Sequence, residues 1–491
     1  MYQTIILGSI LLVSFYILKR FRKPKLNMPP LVRYKIPIIG HTYSYMFNSE
    51  EFIKQCKKEY GEIFSIYIWG EVRTIVGKEY SQEVLTRDDA FSFGKAFVET
   101  IPLDLLLKHA GVTNGPKLLK DYIFCKLNFY SERMQKCLHS AIQKYIDTNV
   151  NDGPKVFNNM YLLMTKIIST PVSNIFIGEE ESKHDEVITT FAGFISDLLT
   201  FQKIPPLLNF YYPGYLNRIL VSSGLYNPAI KHRNILIKYI KNQVCNRLQG
   251  KAKYGDSWKR PDDLLQDIIE QENIDLNNVN YASLADKIFA FLFASIHTTS
   301  TGCANALMDL ASRPQYMQEL YEEQLEVHKE ADENGVLPFK ALDNMKKLDS
   351  FIRETLRLTG HILALDHSVL KDYTFSNGLQ LPKNHTVKIY VDDIYQDELL
   401  QGPNPKSFEP FRHIDKNAPA SKISKNFVLF GAGKHACPGR YFAISEIKFF
   451  MHNIILKYNI RTESGKIEGR KLYGPTAYPS PSGIIIEKRK A

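Results

Sequence analysis

The sequence predicts a mainly α fold with minor β sheets, on three observations. Helical apolar spacing dominates from about residue 81 to residue 330. Stretches of β character are short and scattered, at 62–77, 367–391 and 483–487. Nowhere do strands and helices alternate as a parallel βαβ sheet requires. Residues 31–491 contain no segment that reads as a domain boundary, no internal repeat and no low-complexity tract. A single large domain over 38–491 is expected, preceded by segments 1–18 and 19–37.

Residues 2–18 form an uncharged, mostly apolar run, followed at once by Lys19, Arg20, Arg22, Lys23 and Lys25. The run is slightly short for a bilayer, but basic flanks that snorkel make it adequate as a transmembrane anchor. Positive charge on its C-terminal side holds that side in the cytosol. A cleaved signal peptide is the competing reading. It would place the charges ahead of the apolar core and end in small residues, and neither feature is present. Pro24, Pro29, Pro30 and Pro37 make 19–37 a stiff, basic, non-helical linker.

Residues 62–77 read as two strands about a Gly70-Glu71 turn. Residues 198–215 are apolar and aromatic with three prolines, so they serve either as core or as a lid that dips into lipid. Residues 283–311 predict a long helix opened by a capping box of Ser283 and Asp286 and closed before Arg313-Pro314. Its first half is apolar on every side, as in a helix through the core. His297, Thr298, Thr299, Ser300, Thr301 and Gly302 then interrupt it; threonines there often do no more than bond the preceding turn.

Glu354 and Arg357 share a helix face at i and i+3, a spacing that usually marks a solvated ion pair. Phe408-Glu409-Pro410-Phe411-Arg412 follows, and then the most informative segment, 430–439. There Phe430, Gly433, Cys437 and Gly439 complete the spacing F-x-x-G-x-x-x-C-x-G. Gly431 and Gly433 permit a tight loop and close approach of a flat ligand, and Phe430 can cover its sulfur side. Lys434 and His435 offer positive charge to an anion. A helix over 440–456 begins just past Cys437, and its N-terminus is expected to lower the thiol pKa. A lone cysteine in a glycine-rich turn is more often an inert thiol, but here the full spacing is matched.

The composition is ordinary for a globular chain, 44% hydrophobic and 23% charged over 491 residues. A formal charge of +10 suits an anionic membrane surface or an acidic protein partner. The basic residues are spread out and no nucleic-acid-reading motif is present, so no nucleic-acid partner is expected. Six cysteines lie far apart without CxxC or zinc spacing, which reads as a reduced, cytosol-facing protein.

Segment 430–439 resembles the haem-binding loop of the cytochrome P450 superfamily, and the resemblance extends through nearly the whole chain. It implies that fold, with haem b between the long central helix and the cysteine-loop helix and its iron axially ligated by the Cys437 thiolate. Phe430, Gly431 and Ala294 would border the haem. Thr298 matches the threonine that organises protons beside bound dioxygen. His297 stands where an acidic residue is more usual, and Ser295 where a glycine is. Tyr122 and Lys126 stand in place of W-x-x-x-R, and His367 and His435 in place of arginines. With those four as donors to the haem propionates, each departure keeps a donor. Glu354, Arg357 and Arg412 resemble the family's buried structural triad.

The surrounding GKHACPGRYFA is similar to a fungal subset that includes terpenoid oxidases and steroid hydroxylases. The implied function is a haem-thiolate monooxygenase that inserts one oxygen atom of O2 into a hydrophobic substrate, a steroid or terpenoid ahead of a fatty acid. Electrons would come from NADPH-cytochrome P450 reductase, with cytochrome b5 as a second partner. A monomer anchored once in the endoplasmic reticulum membrane, its catalytic domain facing the cytosol and touching membrane lipid, completes the expectation. The pocket should draw on 91–115, 191–226, 291–298, 362–365 and 476–478. The alternatives are a haem-thiolate isomerase or dehydratase and a non-catalytic haem-binding or sensing protein.

Overall fold

An apolar surface on every side leaves the first half of the central segment no solvent face, and it runs as a helix, Tyr281–Ala311, through the middle of the molecule. This computed structural model describes residues 26–490 apart from 38, 69, 101–102, 111–125 and 203–214. The expected anchor 1–18, the start of the linker, Tyr122 and most of the apolar 198–215 stretch lie outside the described residues. Helices Met160–Ile177, Asp185–Gln202, Ala229–Tyr254, Lys346–Arg357 and Arg440–Lys457 all pack on the central helix. One hydrophobic core runs through them, and a smaller cluster lies under the N-terminal sheet.

The expected capping box is corrected. Asn280 caps the central helix, its side chain accepting the Ser283 N–H at 3.0 Å. The Ser283 hydroxyl donates instead to His109 O at 2.9 Å, and Asp286 is buried in an ion pair with Arg233. Both polar residues serve tertiary contacts, which overrode the local pattern.

The strands in chain order are β1 (Ile63–Ile68), β2 (Glu71–Val76), β3 (Phe91–Ser92), β4 (Lys155–Phe157), β5 (Leu363–Val369) and β6 (Tyr373–Thr374). They continue with β7 (Gln380–Leu381), β8 (Thr386–Tyr390), β9 (Tyr458–Thr462), β10 (Lys471–Tyr473), β11 (Thr476–Tyr478) and β12 (Ile484–Lys488). The largest sheet has the order β1-β2-β8-β5-β3, with β1 and β2 turning at Gly70 (φ +83°) as the sequence predicts. Within β5 the register to β8 slips between Ala364 and His367, and Leu365 holds φ +55° there. That slip turns the strand's side chains beside the predicted pocket segment 362–365.

Part of the proline-rich linker is docked on β1 of this sheet and on β7 of the separate β6-β7 pair. Val32 N–H donates to Ser65 O at 2.9 Å, Ser65 N–H to Pro30 O at 2.8 Å, and Gln380 N–H to Asn27 O at 2.7 Å. Among the described residues one helix, Met160–Ile177, is long and apolar enough to cross a membrane, and it is mostly buried inside the fold.

The central and cysteine-loop helices meet at Gly302. A Cβ at that position would lie 2.8 Å from Ile447 Cδ1. The absence of a side chain is what lets the two helices cross this closely.

Candidate active site

Glycine backbone freedom shapes the cysteine loop. Gly431 (φ +71°) and Gly433 (φ +62°) turn it tightly enough for Cys437 N–H to donate back to Phe430 O at 2.7 Å. A Cβ on Gly433 would come within 3.3 Å of Leu85 O and Thr86 Cα, so the loop lies against the end of helix Lys78–Thr86. Lys434 reaches Asp88 at 3.2 Å from the exposed side of the loop.

Helix Arg440–Lys457 starts where it can address the sulfur. The amides of Gly439 and Arg440 are both hydrogen-bonded to the Cys437 thiol, and Arg440 Nη1 donates to Cys437 O at 2.9 Å. The expected fall in thiol pKa is nevertheless not what the protein alone produces. Burial pushes Cys437 up, and the Gly439 amide, the Arg440 charge and the Arg440 amide oppose this without overcoming it. A cation at the sulfur reverses that balance, because a coordinating thiol loses its proton outright. Cys137 and Cys303 are also raised by burial, Cys137 to about 11, but neither has a helix N-terminus aimed at it.

The central helix, which crosses the cysteine-loop helix at Gly302, carries an open strip. Most of its residues are buried, yet Ala294 and Thr298, one turn apart, are exposed, and Ala290, His297 and Thr301 are half-buried. This strip therefore borders open space inside the fold. Thr298 Oγ1 donates to Ala294 O at 2.7 Å, the local bond that threonines in helices commonly make. Among the described residues no donor reaches its lone pairs. A thiol with two amides aimed at it, a loop turned tightly by two glycines and an open strip on the largely buried central helix together fit a haem.

Three of the four expected propionate partners, His367, His435 and Lys126, lie among the described residues. His367 is buried, has His435 as an electrostatic neighbour and rests its ring on Phe93, centroids 5.9 Å apart. Its Nδ1 donates to Leu365 O at 2.7 Å, and burial lowers its pKa. In that neutral form the other ring nitrogen accepts, so His367 can hold a carboxylate only when it is protonated. His435 is exposed. Lys126 pairs with Asp262 at 3.8 Å, and Tyr122 lies outside the described residues.

The predicted triad does assemble. Glu354 accepts Arg357 Nε at 2.8 Å and Nη2 at 2.7 Å, and Arg412 Nε at 3.2 Å. Arg357 Nη1 reaches Tyr395 O and Pro405 O at 2.6 and 2.7 Å, while Arg412 reaches Pro403 O and Asn404 O at 2.7 and 2.9 Å. Burial alone would raise Glu354, but the bonds from Arg357 and His413 outweigh it and hold the carboxyl down to about 2.

Three residues that sequence reasoning did not single out belong to the same architecture. His413 Nε2 lies 3.0 Å from Glu354 Oε2 and makes the triad a tetrad. Arg353 donates to Pro419 O and Lys422 O and stacks 4.0 Å over Phe427, whose ring in turn meets Phe430. Tyr161 meets His297 across the central helix at 2.7 Å. Only Arg353 left a trace in sequence, as a third polar residue beside the Glu-Arg pair; the other two are contacts across long separations.

The sequence pattern of the cytochrome P450 family matches residues 29–482. The chain belongs to the cytochrome P450 family. Cytochrome P450 monooxygenase AN1598 of Emericella nidulans is 28% identical, over 76% of this chain and 70% of its own length. Cytochrome P450 monooxygenase 151 of Postia placenta is 27% identical, over 82% of this chain and 81% of its own. A retinoic acid-bound cyanobacterial CYP120A1 superposes with a TM-score of 0.68 at 19% identity, covering 95% of this chain and 100% of its own, and supports the fold.

The P450 fold, mainly α with small sheets, is thus the one the sequence predicts, and the chain is a monooxygenase enzyme of that family. As in other P450 proteins the cofactor is haem, with its iron held by a cysteine thiolate, and the family works with a redox partner on hydrophobic substrates.

Proposed function

We propose that Cys437 is the haem-ligating cysteine and that Ala294, His297 and Thr298 face the oxygen side of the haem. The observation that carries this reading is the Cys437 sulfur under the amides of Gly439 and Arg440 at the start of a helix that crosses the central helix. When bound, the haem iron supplies dioxygen activation and oxidation of an unactivated C–H bond. The protein's own share is positioning. The two amides hold the sulfur in one place and temper its charge. Thr298 Oγ1, fixed by its bond to Ala294 O, presents its lone pair to water or a protonated oxygen. Phe430 and Gly431 border the haem plane, while Glu354, Arg357 and Arg412 lock the segment that delivers the loop.

Propionate contacts from His435, Lys126, Tyr122 and protonated His367 belong to the same proposal. The substrate is a hydrophobic molecule, a steroid or terpenoid ahead of a fatty acid. In support, Phe293 of the central helix meets Phe97, which in turn stacks on Phe93, so aromatic side chains gather beside the helix that carries the open strip. Electrons come from NADPH-cytochrome P450 reductase, with cytochrome b5 as a second donor. Residues 1–18 anchor the single catalytic domain to the endoplasmic reticulum membrane as a monomer.

The test is the reduced, carbon monoxide-treated spectrum of the full chain beside Cys437→Ala. The red-shifted Soret band of thiolate ligation is expected in the first and absent in the second. A band that survives the substitution refutes the ligand. Substrate-induced spin-state spectra across sterols, diterpenes and fatty acids then rank the substrate classes.

A further inference from the structure

Among the described residues the His297 ring has one hydrogen-bond partner, and it lies on another helix. Tyr161, in the first turn of Met160–Ile177, brings its hydroxyl to 2.7 Å from His297 Nδ1, with the two rings edge to face at 79°. Phe293, one turn earlier, stacks on the imidazole from the other side, centroids 6.1 Å apart. The ring is therefore clamped in plane and in tilt.

The direction of the bond follows from counting protons. A phenol has one, and among the described residues it has no acceptor other than Nδ1. If Nδ1–H were the donor, that phenolic proton would have no partner among the described residues, and an unmade bond to a largely buried donor is costly. With the phenol donating, the hydroxyl and Nδ1 are both satisfied, and the single imidazole proton moves to Nε2. That nitrogen has no partner among the described residues, and the side chain is half-buried on the same open strip as Ala294 and Thr298.

We infer that Tyr161 is a positioning residue that fixes the tautomer of His297, so that Nε2–H stands on the central helix near Thr298 as a hydrogen-bond donor to a neutral oxygen, that of an ordered water or of a substrate carbonyl or hydroxyl. The inference rests on the haem-site reading and specifies the role of His297 within it. Where an acid would accept and release protons, this pair donates a hydrogen bond and stays neutral. Its surroundings support that. Burial, reinforced by His361, lowers His297 to about 4, and burial with Arg470 lowers His361 to about 4 as well. Tyr161 is pushed up by burial, so among the described residues no carboxylate or phenolate faces the imidazole to hold a second proton on it.

The experiment labels the histidine rings of the full-length protein with nitrogen-15 and reads tautomers by NMR in the diamagnetic, reduced carbon monoxide form. His297→Asn identifies the signal by its loss. The expected result is a neutral Nε2–H imidazole throughout the neutral pH range, and a shift toward a mixture of tautomers in Tyr161→Phe. An Nδ1–H tautomer in the unsubstituted protein overturns the inference, as does an unchanged tautomer in Tyr161→Phe. The first reading needs no variant, so a Tyr161→Phe chain that fails to fold leaves it intact. Sterol or diterpene ketones that shift the Nε2 signal, against hydrocarbons that do not, separate substrate oxygen from water as the acceptor. A missing thiolate Soret band would strike the haem reading alone, since the tautomer can also be read in the haem-free chain.

Discussion

Arg233 and Asp286 form a buried two-point ion pair, Nε to Oδ1 at 2.5 Å and Nη2 to Oδ2 at 2.9 Å, that joins helix Ala229–Tyr254 to the central helix. The pair also reaches a third element. Arg233 Nη2 donates to Leu106 O at 3.1 Å, and Asp286 Oδ2 accepts His109 N–H at 3.1 Å. The short helix Leu103–Leu106 and the turn after it are thus pinned to two long helices at one carboxylate.

Breaking this clasp on one side should cost far more than removing it. Arg233→Met leaves a buried carboxylate unpaired, and a loss of about 3–5 kcal/mol is expected. Replacing both residues with apolar ones of similar size, Arg233→Met with Asp286→Leu, should recover much of that loss, although the His109 amide then lacks its acceptor. Urea unfolding of the single and double variants measures the difference. Equal losses in both would mean that the charges, not the burial of an unpaired one, hold the junction.

Glu354 gives the fold an acid limit. Its carboxyl sits at about 2 against an ordinary 4.5, so the unfolded chain takes up its proton first. The stabilisation, on the order of 3 kcal/mol, is complete above about pH 4.5 and is lost as pH falls toward 2. Glu354→Gln should be less stable at neutral pH and should show a shallower decline on acidification. Thermal unfolding recorded across that range checks both; parallel curves for the two proteins would contradict the tetrad's role.

What could be read in the sequence was local, and what could not was distant. The F-x-x-G-x-x-x-C-x-G spacing and the Glu354–Arg357 pair are patterns within one turn or one loop, and both assemble as expected. The central helix was legible from its apolar surface, but its start was not. Ser283 and Asp286 match a capping box, yet their side chains meet His109 and Arg233, partners 174 and 53 residues away. His367 stands as a propionate donor by analogy of place alone; the slip in β5 brings its Nδ1 back onto Leu365 O, which no spacing rule reveals. Tyr161 and His413 act on His297 and Glu354 from separations of 136 and 59 residues.

Gly302 offers a test of how tightly the two haem-flanking helices cross. Alanine there gains about 1 kcal/mol of helix preference. It also forces Ile447 Cδ1, 2.8 Å away, to move, and such overpacking costs about 1–3 kcal/mol. Gly302→Ala alone should therefore be neutral or mildly destabilising. Ile447→Val deletes the clashing methyl and costs about 0.5–1.5 kcal/mol alone. In combination, the alanine should turn stabilising relative to Ile447→Val. Strictly additive effects in chemical denaturation would show that the crossing has room to spare.

Thr298 separates fold from chemistry most cleanly. Its described hydrogen bond is local, to Ala294 O, and the side chain is exposed on the open strip. Thr298→Ala should change stability by no more than about 0.5 kcal/mol, and the reduced carbon monoxide spectrum should be retained. If the hydroxyl holds the proton-bearing water, its loss should divert NADPH electrons from product to hydrogen peroxide. Thr298→Ser, which keeps the oxygen and loses only the methyl, should restore most of the coupling. Peroxide measured against NADPH consumed decides the matter: an alanine variant as tightly coupled as the unsubstituted enzyme would leave Thr298 with only its helix bond, and would shift attention to His297 as the donor on that strip.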